Sequence, residues 1–309
     1  MSPESSSANP APPWSPDKLF AFAECAAQAK DLAQRLKVEC EIVDVHYFPD
    51  SECRVQVKGR GMRPAIYRPL HLPNAKLIEI ILAASVLRGD GARDIGLIAP
   101  YLPYMRQDIA FRPGEAVSQK VIGRLLADHF DRLVAVDPHL HRTATLAEVF
   151  AGKPALALSG AVAMSQHLKA RNVPGNVLIL GPDSESEPLA RAVAEPLSLP
   201  HAVAAKDRAG DRDVRIVLPA GVDVNRRSVV IVDDIISSGG TILTLAKTLR
   251  DLNAKTVDVY TTHALYDERT AHAIAVAGVR KVVSCDGIAH PSNAMSIAAV
   301  IAEGLAAWR

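Results

Sequence analysis

The sequence predicts two tandem α/β domains, each a mainly parallel sheet flanked by helices, and three observations predict it. Short Val/Ile/Leu/Ala runs alternate with longer stretches of helical periodicity, the pattern of strands that cross over through helices. The runs are apolar throughout, as strands covered on both faces must be. A weak internal symmetry divides the chain: GLIAPY and LILGPD each run from an apolar strand into a small residue plus Pro, and each is followed later by a strand ending in acid, LVAVDP or VVIVDD. At 309 residues with 49% apolar composition, the chain exceeds the usual size of one domain. No short repeat period is present, which favours a duplicated domain over a solenoid.

Taken in order, Met1–Pro16 is Ser/Pro/Ala-rich and is expected to be a flexible tail. It has neither the basic nor the apolar region of a signal peptide. The first domain, 17–150, is expected to carry helices at Ala27–Leu36, Ala75–Arg88 and Val117–His129 and strands at Asp94–Ala99 and Arg132–Val136. Gly and Pro in Phe150–Pro154 mark the boundary, because the helical pattern lapses there. In the second domain, 151–309, strands are expected at Val177–Leu180, Val214–Val217, Val229–Val232 and Thr256–Thr261. Its helices are expected at Ala161–Ala170, Pro188–Leu197, Thr241–Leu252 and Ile297–Ala307.

Charge and cysteine usage narrow the function. With 35 basic and 34 acidic residues, net charge is +1, so there is no nucleic-acid footprint and the expected partner is a small molecule. Cys25, Cys40, Cys53 and Cys285 form no C-x-x-C pair, which reads as reduced thiols in a cytoplasmic protein. No apolar run is long enough to cross a bilayer, so no membrane partner is expected.

The segment Val229–Thr241, VVIVDDIISSGGT, carries the strongest chemical signal. An apolar strand ends in two carboxylates and passes through a Ser/Gly loop into a helix. Gly239 and Gly240 let the backbone approach an anion closely, and the N–H groups of Ser238 to Thr241 at the helix N-terminus attract phosphate. Asp233 and Asp234 stand at the carboxyl end of the strand, where open α/β sheets bind ligand. Their chemistry suits ribose hydroxyls or a magnesium ion. A merely capped helix would need a Ser or Asp, not two acids and two glycines together.

This segment resembles the phosphoribosyl-pyrophosphate loop shared by type I phosphoribosyltransferases and phosphoribosyl-pyrophosphate synthetases. Phe48-Pro-Asp-Ser-Glu52, Pro100–Asp108 (PYLPYMRQD), Asp137-Pro-His139 and Gly181-Pro-Asp183 resemble four further segments of the synthetases, known also as ribose-phosphate pyrophosphokinases. The resemblance implies two tandem type I phosphoribosyltransferase-like domains and the transfer of pyrophosphate from ATP to the 1-hydroxyl of ribose 5-phosphate. It implies ATP contacts from Phe48, Asp50, Glu52, Arg106, Gln107 and His139, with magnesium positioned by His139 and Asp183. Ribose 5-phosphate would be held by Asp183, Asp233, Asp234, Ser237, Ser238, Gly239, Gly240 and Thr241. Lys206 and Arg208, in AAKDRAGDRDV, match the start of the family's catalytic loop and would cover charge in the transition state. The family also implies a homo-oligomer, whose adenine site borrows the Phe48–Glu52 hairpin of a neighbouring subunit, and a final helix packed on the first domain. Phe111–Ser118 and ISSGGT resemble the class III branch.

Departures from the pattern leave two other readings open. Asp183 is followed by Ser184-Glu185-Ser186-Glu187 where the family is small and Gly-rich, which puts two acids near a phosphate site. A phosphoribosyltransferase would use the same Asp233–Thr241 loop, but would need neither Phe48–Glu52 nor Arg106–Asp108. A non-catalytic subunit regulating a true synthetase is the other.

Overall fold

The computed structural model describes residues 14–208 and 214–308, without the side chains of 206–208 and 214–215. The strands of the first half are β1 (Lys18–Ala21), β2 (Glu39–Ile42), β3 (Asp44–Tyr47), β4 (Cys53–Gln56), β5 (Pro64–Tyr67), β6 (Gly96–Ile98), β7 (Arg132–Val136) and β8 (Ala155–Leu158). Those of the second are β9 (Leu178–Gly181), β10 (His201–Val203), β11 (Ala205–Arg208), β12 (Val214–Val217), β13 (Ser228–Ile236), β14 (Thr256–Ala264), β15 (Val279–Cys285) and β16 (Asn293–Met295). They build two six-stranded sheets, ordered β2-β1-β5-β6-β7-β8 and β10-β9-β13-β14-β15-β16. Every pair within each sheet is parallel.

The two orders are the same topology written twice. In each half an antiparallel hairpin, β3–β4 or β11–β12, is inserted after the second strand of the sheet. The expected strand Val214–Val217 is therefore half of a hairpin and not a member of the parallel sheet. Helices expected from periodicity form within a residue or two of their expected ends; Pro188–Leu197 divides into Glu187–Ala194 and a 3₁₀ turn, Glu195–Leu197.

Two expectations about boundaries are corrected. Ala155–Leu158 pairs with Arg132–Val136, so the first sheet closes beyond Phe150–Pro154. That Gly/Pro turn, with the short helix Leu146–Val149 before it, is an ordinary connection between parallel neighbours. The tail expected over Met1–Pro16 ends sooner than its composition indicates. Trp14 is only 2% exposed, and a Cβ on Gly96 would lie 2.2 Å from its ring. Its indole also meets Trp308 edge-on at 5.9 Å, which docks the end of the final helix, Ala298–Ala307, on the first half. That helix packs against Ala26–Leu36, and Ser296 Oγ donates to Asp31 at 3.0 Å. Residues 1–13 lie outside the described residues.

A buried ionic cluster fixes the first hairpin. Arg68, 4% exposed, reaches Glu79 at 2.6 Å and donates to Glu24 at 2.9 Å, with its guanidinium 3.6 Å from the centre of the Phe22 ring. The Tyr47 hydroxyl of β3 donates to the same Glu79. An ion pair this deep is costly unless each end is further hydrogen-bonded, and Tyr47 and Glu24 supply those bonds. Lys76 donates to the Pro69 carbonyl at 3.0 Å and lies 3.4 Å from His71 Nδ1.

Burial, followed by the charge on Lys76, pushes the His71 imidazole down to about 4 from its ordinary 6.5. Because the unfolded chain takes up that proton first, His71 contributes stability above the ordinary value that is lost as pH falls toward 4. Wild-type unfolding free energy is expected to drop more steeply between these pH values than that of His71→Gln. Parallel urea titrations check this, and identical slopes would refute it.

Candidate active site

Strand β13 runs past its apolar stretch, through Asp233 and Asp234, to Ile236, because β14 extends beside it, with Asp233 opposite Thr261 and Ile235 opposite His263. The sequence pattern stops both strands early: Thr261, Thr262 and His263 are polar yet buried. The partners of Thr262 and His263 come from the first half. Thr262 Oγ1 donates to Asp137 Oδ2 at 2.5 Å, and His263 Nε2 donates to the Val136 carbonyl at 2.8 Å. Asp137 adopts φ +40° and also accepts from the Gly160 N–H at 2.9 Å. Burial raises its carboxyl above the ordinary value, and the donations from Thr262 and Gly160 oppose that rise. This joint sets the ends of β7 and β14 together, so loops from both sheets face one cleft.

The cleft has a volume of about 630 Å³. Arg106, His139, Asp183, Asp233, Asp234 and Thr241 line it together, as do Asp137, His141, Ser159 and Glu185. Beside it, a smaller hollow of about 80 Å³ is bounded by Ser237, Ser238, Gly239, Gly240, Thr241 and, from the opposite half, Arg106. Helix Gly240–Asp251 starts here and directs its first N–H groups at the hollow, while Arg106 supplies a planar cationic fork. Gly239 has φ +72°, and a Cβ there would lie 2.7 Å from Thr270 Cγ2. Gly240 is different: the nearest atom to its would-be Cβ is 3.9 Å away, so its bareness leaves room above the loop.

The paired acids are electrostatically unlike. Burial raises Asp233 well above the carboxylate range, and the charges of Asp234 and Asp183 add to it. Burial acts on Asp234 too, but the hydrogen bond and charge of His139, with His263 and His141 behind, hold it below its ordinary value. The two acids are thus pushed in opposite directions, Asp234 toward its anionic form and Asp233 toward its protonated form.

His139 Nδ1 lies 3.0 Å from Asp234 Oδ2 and 2.8 Å from His141 Nε2, which in turn is 3.5 Å from Glu185 Oε2. His141 and Glu185 were absent from the sequence-derived site, although a His-x-His spacing was available as a signal. Asp183 caps the turn Ser184–Ser186, where Ser186 Oγ donates back to its carbonyl at 2.6 Å. The Ser184–Glu187 departure resolves into two orientations: Glu185 faces His141, whereas Glu187 pairs along its helix with Arg191 at 3.7 Å.

Several expected residues lie elsewhere. Gln107 donates to the Ile109 carbonyl at 3.3 Å and to Glu115 at 3.4 Å, bracing the loop beyond Arg106. Phe48, Asp50 and Glu52 form the exposed tip of the first hairpin, where Phe48 N–H donates to the Glu52 carbonyl at 2.8 Å. None of these four lines the cleft. Lys206 and Arg208 lie on β11, paired with Ile216 and Val214, and their side chains are outside the described residues.

Residues 18–129 match the N-terminal domain of ribose phosphate pyrophosphokinase, and residues 150–291 match the phosphoribosyl transferase domain. The ribose-phosphate pyrophosphokinase of Methanopyrus kandleri is 31% identical over 93% of this chain and 98% of its own. That of Pyrococcus abyssi is 36% identical over 76% and 80%. Among solved structures, the phosphoribosylpyrophosphate synthetase of Mycobacterium smegmatis superposes with a TM-score of 0.81 at 25% identity, covering 93% of this chain and 97% of that one.

Thr262→Val keeps the shape of the joint and removes one donor from a buried carboxylate, a loss of about 1–3 kcal/mol. The unfolding midpoint in urea is expected to fall accordingly. An unchanged midpoint would show that Asp137 does not depend on this bond.

Proposed function

Since the chain belongs to the ribose-phosphate pyrophosphokinase family, we propose that its cleft performs that reaction, transferring pyrophosphate from ATP to the 1-hydroxyl of ribose 5-phosphate. The observation that carries the reading is the facing of Arg106, from the first half, onto the Ser237–Thr241 loop of the second across one hollow. A phosphoribosyltransferase acting through that loop alone would not need a cation delivered from an additional domain.

In this reading the loop N–H groups and helix N-terminus hold the 5-phosphate, and the carboxyl groups of Asp233 and Asp234 accept the ribose hydroxyl hydrogens. The 1-hydroxyl is thereby turned toward the Arg106 side, where the ATP phosphates lie. A bond forms between O1 and the β-phosphorus, the bridge between α- and β-phosphorus breaks, and AMP leaves with the bridging oxygen. The hydroxyl proton passes to solvent. Little covalent work falls to the protein, so rate comes from positioning and charge neutralisation. Lys206 and Arg208, on the hairpin beside the cleft, are proposed as the cations that meet charge growing on the transferred group.

Magnesium fits the oxygen-rich side of this cleft. Burial raises Asp233 most, the charges of Asp234 and Asp183 add to it, and a hard cation relieves that convergence of like charge. Asp183 and the paired acids would hold it, with His139 at their edge, and bound magnesium would neutralise phosphate charge during transfer. Partners are otherwise ATP and ribose 5-phosphate. The hairpin tip of Phe48, Asp50 and Glu52 does not line the cleft of its own chain, so its proposed adenine contact is made in a second copy. A cytoplasmic setting agrees with four unpaired cysteines, of which Cys25 is raised to about 12 by burial. Among the described residues no helix is long and apolar enough to cross a membrane.

Incubation with ATP, Mg²⁺ and ribose 5-phosphate is expected to release AMP only when all three are present. Activity without added inorganic phosphate is expected if the chain follows the class III branch. Lys206→Ala should lower kcat by roughly 10²–10³ with little change in KM, as loss of one charge contact made in the transition state does. A near-normal kcat would remove the hairpin from the mechanism, and absence of AMP would reject the activity. Light scattering is expected to show an oligomer; a fully active monomer would reject the shared adenine site.

A further inference from the structure

The duplication builds two clefts, and the catalytic reading uses one of them. That cleft joins loops after the third strand of the second sheet, β13, to loops after the fifth strand of the first, β7. Exchanging the halves predicts a mate, between the third strand of the first sheet, β5, and the fifth of the second, β15. It is present. A cavity of about 620 Å³ lies between His71–Asn74, after β5, and Ile288–His290, after β15, with Tyr101, Tyr104 and Tyr266 from the segments that follow the two fourth strands. The equivalence reaches single hydrogen bonds. Asp137, just past β7, accepts from the Gly160 N–H at 2.9 Å, and Asp286, just past β15, accepts from the Ile297 N–H at 2.9 Å. Each donor residue is the N-cap of the helix that follows the sixth strand of its sheet. We propose that this mate cleft is a second binding site, for an uncharged, flat heteroaromatic ring, a nucleobase or a nucleoside without phosphate, and that no chemistry is performed on it there.

Charge decides the class of ligand. The catalytic cleft is lined by Arg106, Asp183, Glu185, Asp233 and Asp234, whereas the described residues lining its mate include no Asp, Glu, Lys or Arg. The paired acids that follow the apolar part of β13 have no counterpart after β5. Arg68 stands there instead, buried against Glu79 and Glu24, and Lys76 is turned to the Pro69 carbonyl. The two histidines of the cavity are held neutral by their contacts. His290 Nε2 donates to the Tyr266 carbonyl at 3.0 Å, while its Nδ1 accepts from the Ser292 N–H at 3.1 Å. His71 Nδ1 faces the Lys76 ammonium at 3.4 Å as an acceptor, and burial followed by the charge of Lys76 holds its pKa down to about 4. A phosphate or carboxylate entering this cavity would give up water without meeting a cation. A neutral ring carries no such penalty.

Aromatic side chains supply the binding surface. The rings of Tyr266 and His290 meet at 4.4 Å, and the two hydrogen bonds of His290 fix the pair as one wall. Tyr101 and Tyr104 line the cavity from the first half. Tyr101 is braced edge-on by His263 at 5.1 Å, and the Tyr104 hydroxyl donates to Asn74 Oδ1 at 2.6 Å. That bond orients the Asn74 amide, whose Nδ2 has no protein partner among the described residues and offers two hydrogens to a ring nitrogen or carbonyl. Tyr104 holds φ +65° and Leu72 φ +52°, conformations costly for bulky side chains and concentrated at ligand clamps. A mostly apolar cavity of this size, with aromatic walls and a few oriented polar groups, has the form of a small-molecule site.

Equilibrium dialysis of the full-length protein against radiolabelled adenosine and uridine, with Mg²⁺ and without ribose 5-phosphate, tests the proposal. At least one nucleoside is expected to reach about one equivalent per chain, to persist under saturating ATP, and to bind more tightly than its own 5′-monophosphate. Ala289→Trp, at an exposed position of the cavity wall, should fill the space and weaken uptake at least about tenfold while AMP release stays normal. Asn74→Ala, which changes only an exposed amide, should weaken it about fivefold and tests the site even if the tryptophan variant folds poorly. Asp233→Asn, in the catalytic cleft, should leave uptake unchanged. Saturable uptake of neither nucleoside, displacement by ATP, tighter binding of the monophosphate, or uptake unaltered in both cavity variants would overturn the second site. None of these outcomes depends on turnover, so absence of AMP release rejects the catalytic reading without touching this one.

Discussion

The cleft depends on a single buried carboxylate. Asp137 ends strand β7 in a left-handed backbone conformation, where it accepts from Thr262 of the second half and from Gly160 on the segment joining the halves. A carboxylate without donors costs several kcal/mol at such depth, so halves placed apart would leave it unsatisfied. Gly160 shows how little slack exists: a Cβ there would lie 2.5 Å from Thr262 Oγ1 and 3.0 Å from Asp137 Oδ2. His263, donating to Val136 one residue earlier, doubles the joint. The ends of two parallel sheets are thereby held face to face, and a two-substrate site becomes geometrically available.

Duplication supplies the rest. Both halves share one strand order, with a hairpin inserted after the second strand, so each sheet presents its carboxyl-end loops in the same sense. The helix that follows the sixth strand is treated differently from a simple tandem repeat. Ala161–Ala170, which follows β8 of the first sheet, packs against Glu187–Ala194 of the second half, while Ala298–Ala307 returns to pack on Ala26–Leu36 of the first. This exchange buries apolar surface across the boundary at both ends, as the Trp14–Trp308 contact illustrates. Relative motion of the halves must then break core packing as well as the Asp137 joint.

Legibility in the sequence followed the apolar signal. Ser228–Ile236 announces itself through unbroken Val and Ile and Thr256–Ala264 through Val257, Val259 and Tyr260, but their last residues do not, because polar side chains there are buried against partners distant in the chain. Thr262 and His263 carry no local sign of Asp137. Lys18–Ala21 and Glu39–Ile42 are too short and too charged at their ends for a period to emerge. Trp14 hides in a composition that reads as a tail. In the cleft, the Asp233–Thr241 loop and Arg106 were readable because their chemistry is local. Glu185 was not, since its place beside His141 arises only when two loops converge, and for His141 the His-x-His spacing was the one local sign.

That convergence explains why the most awkward feature of the sequence, two extra acids after Asp183, is tolerated. Glu187 opens a helix, where a negative charge is favourable, and is paired along it with Arg191. Glu185 instead meets imidazole. Burial and the charge of His139 lower the His141 imidazole below its ordinary value, and the charge of Glu185 opposes them. Local rules are broken where the cleft concentrates acids and imidazoles within a few ångströms, and the surrounding packing holds that arrangement in place. Such a concentration has no structural benefit of its own, because unlike arrangements of apolar side chains would pack there at lower cost.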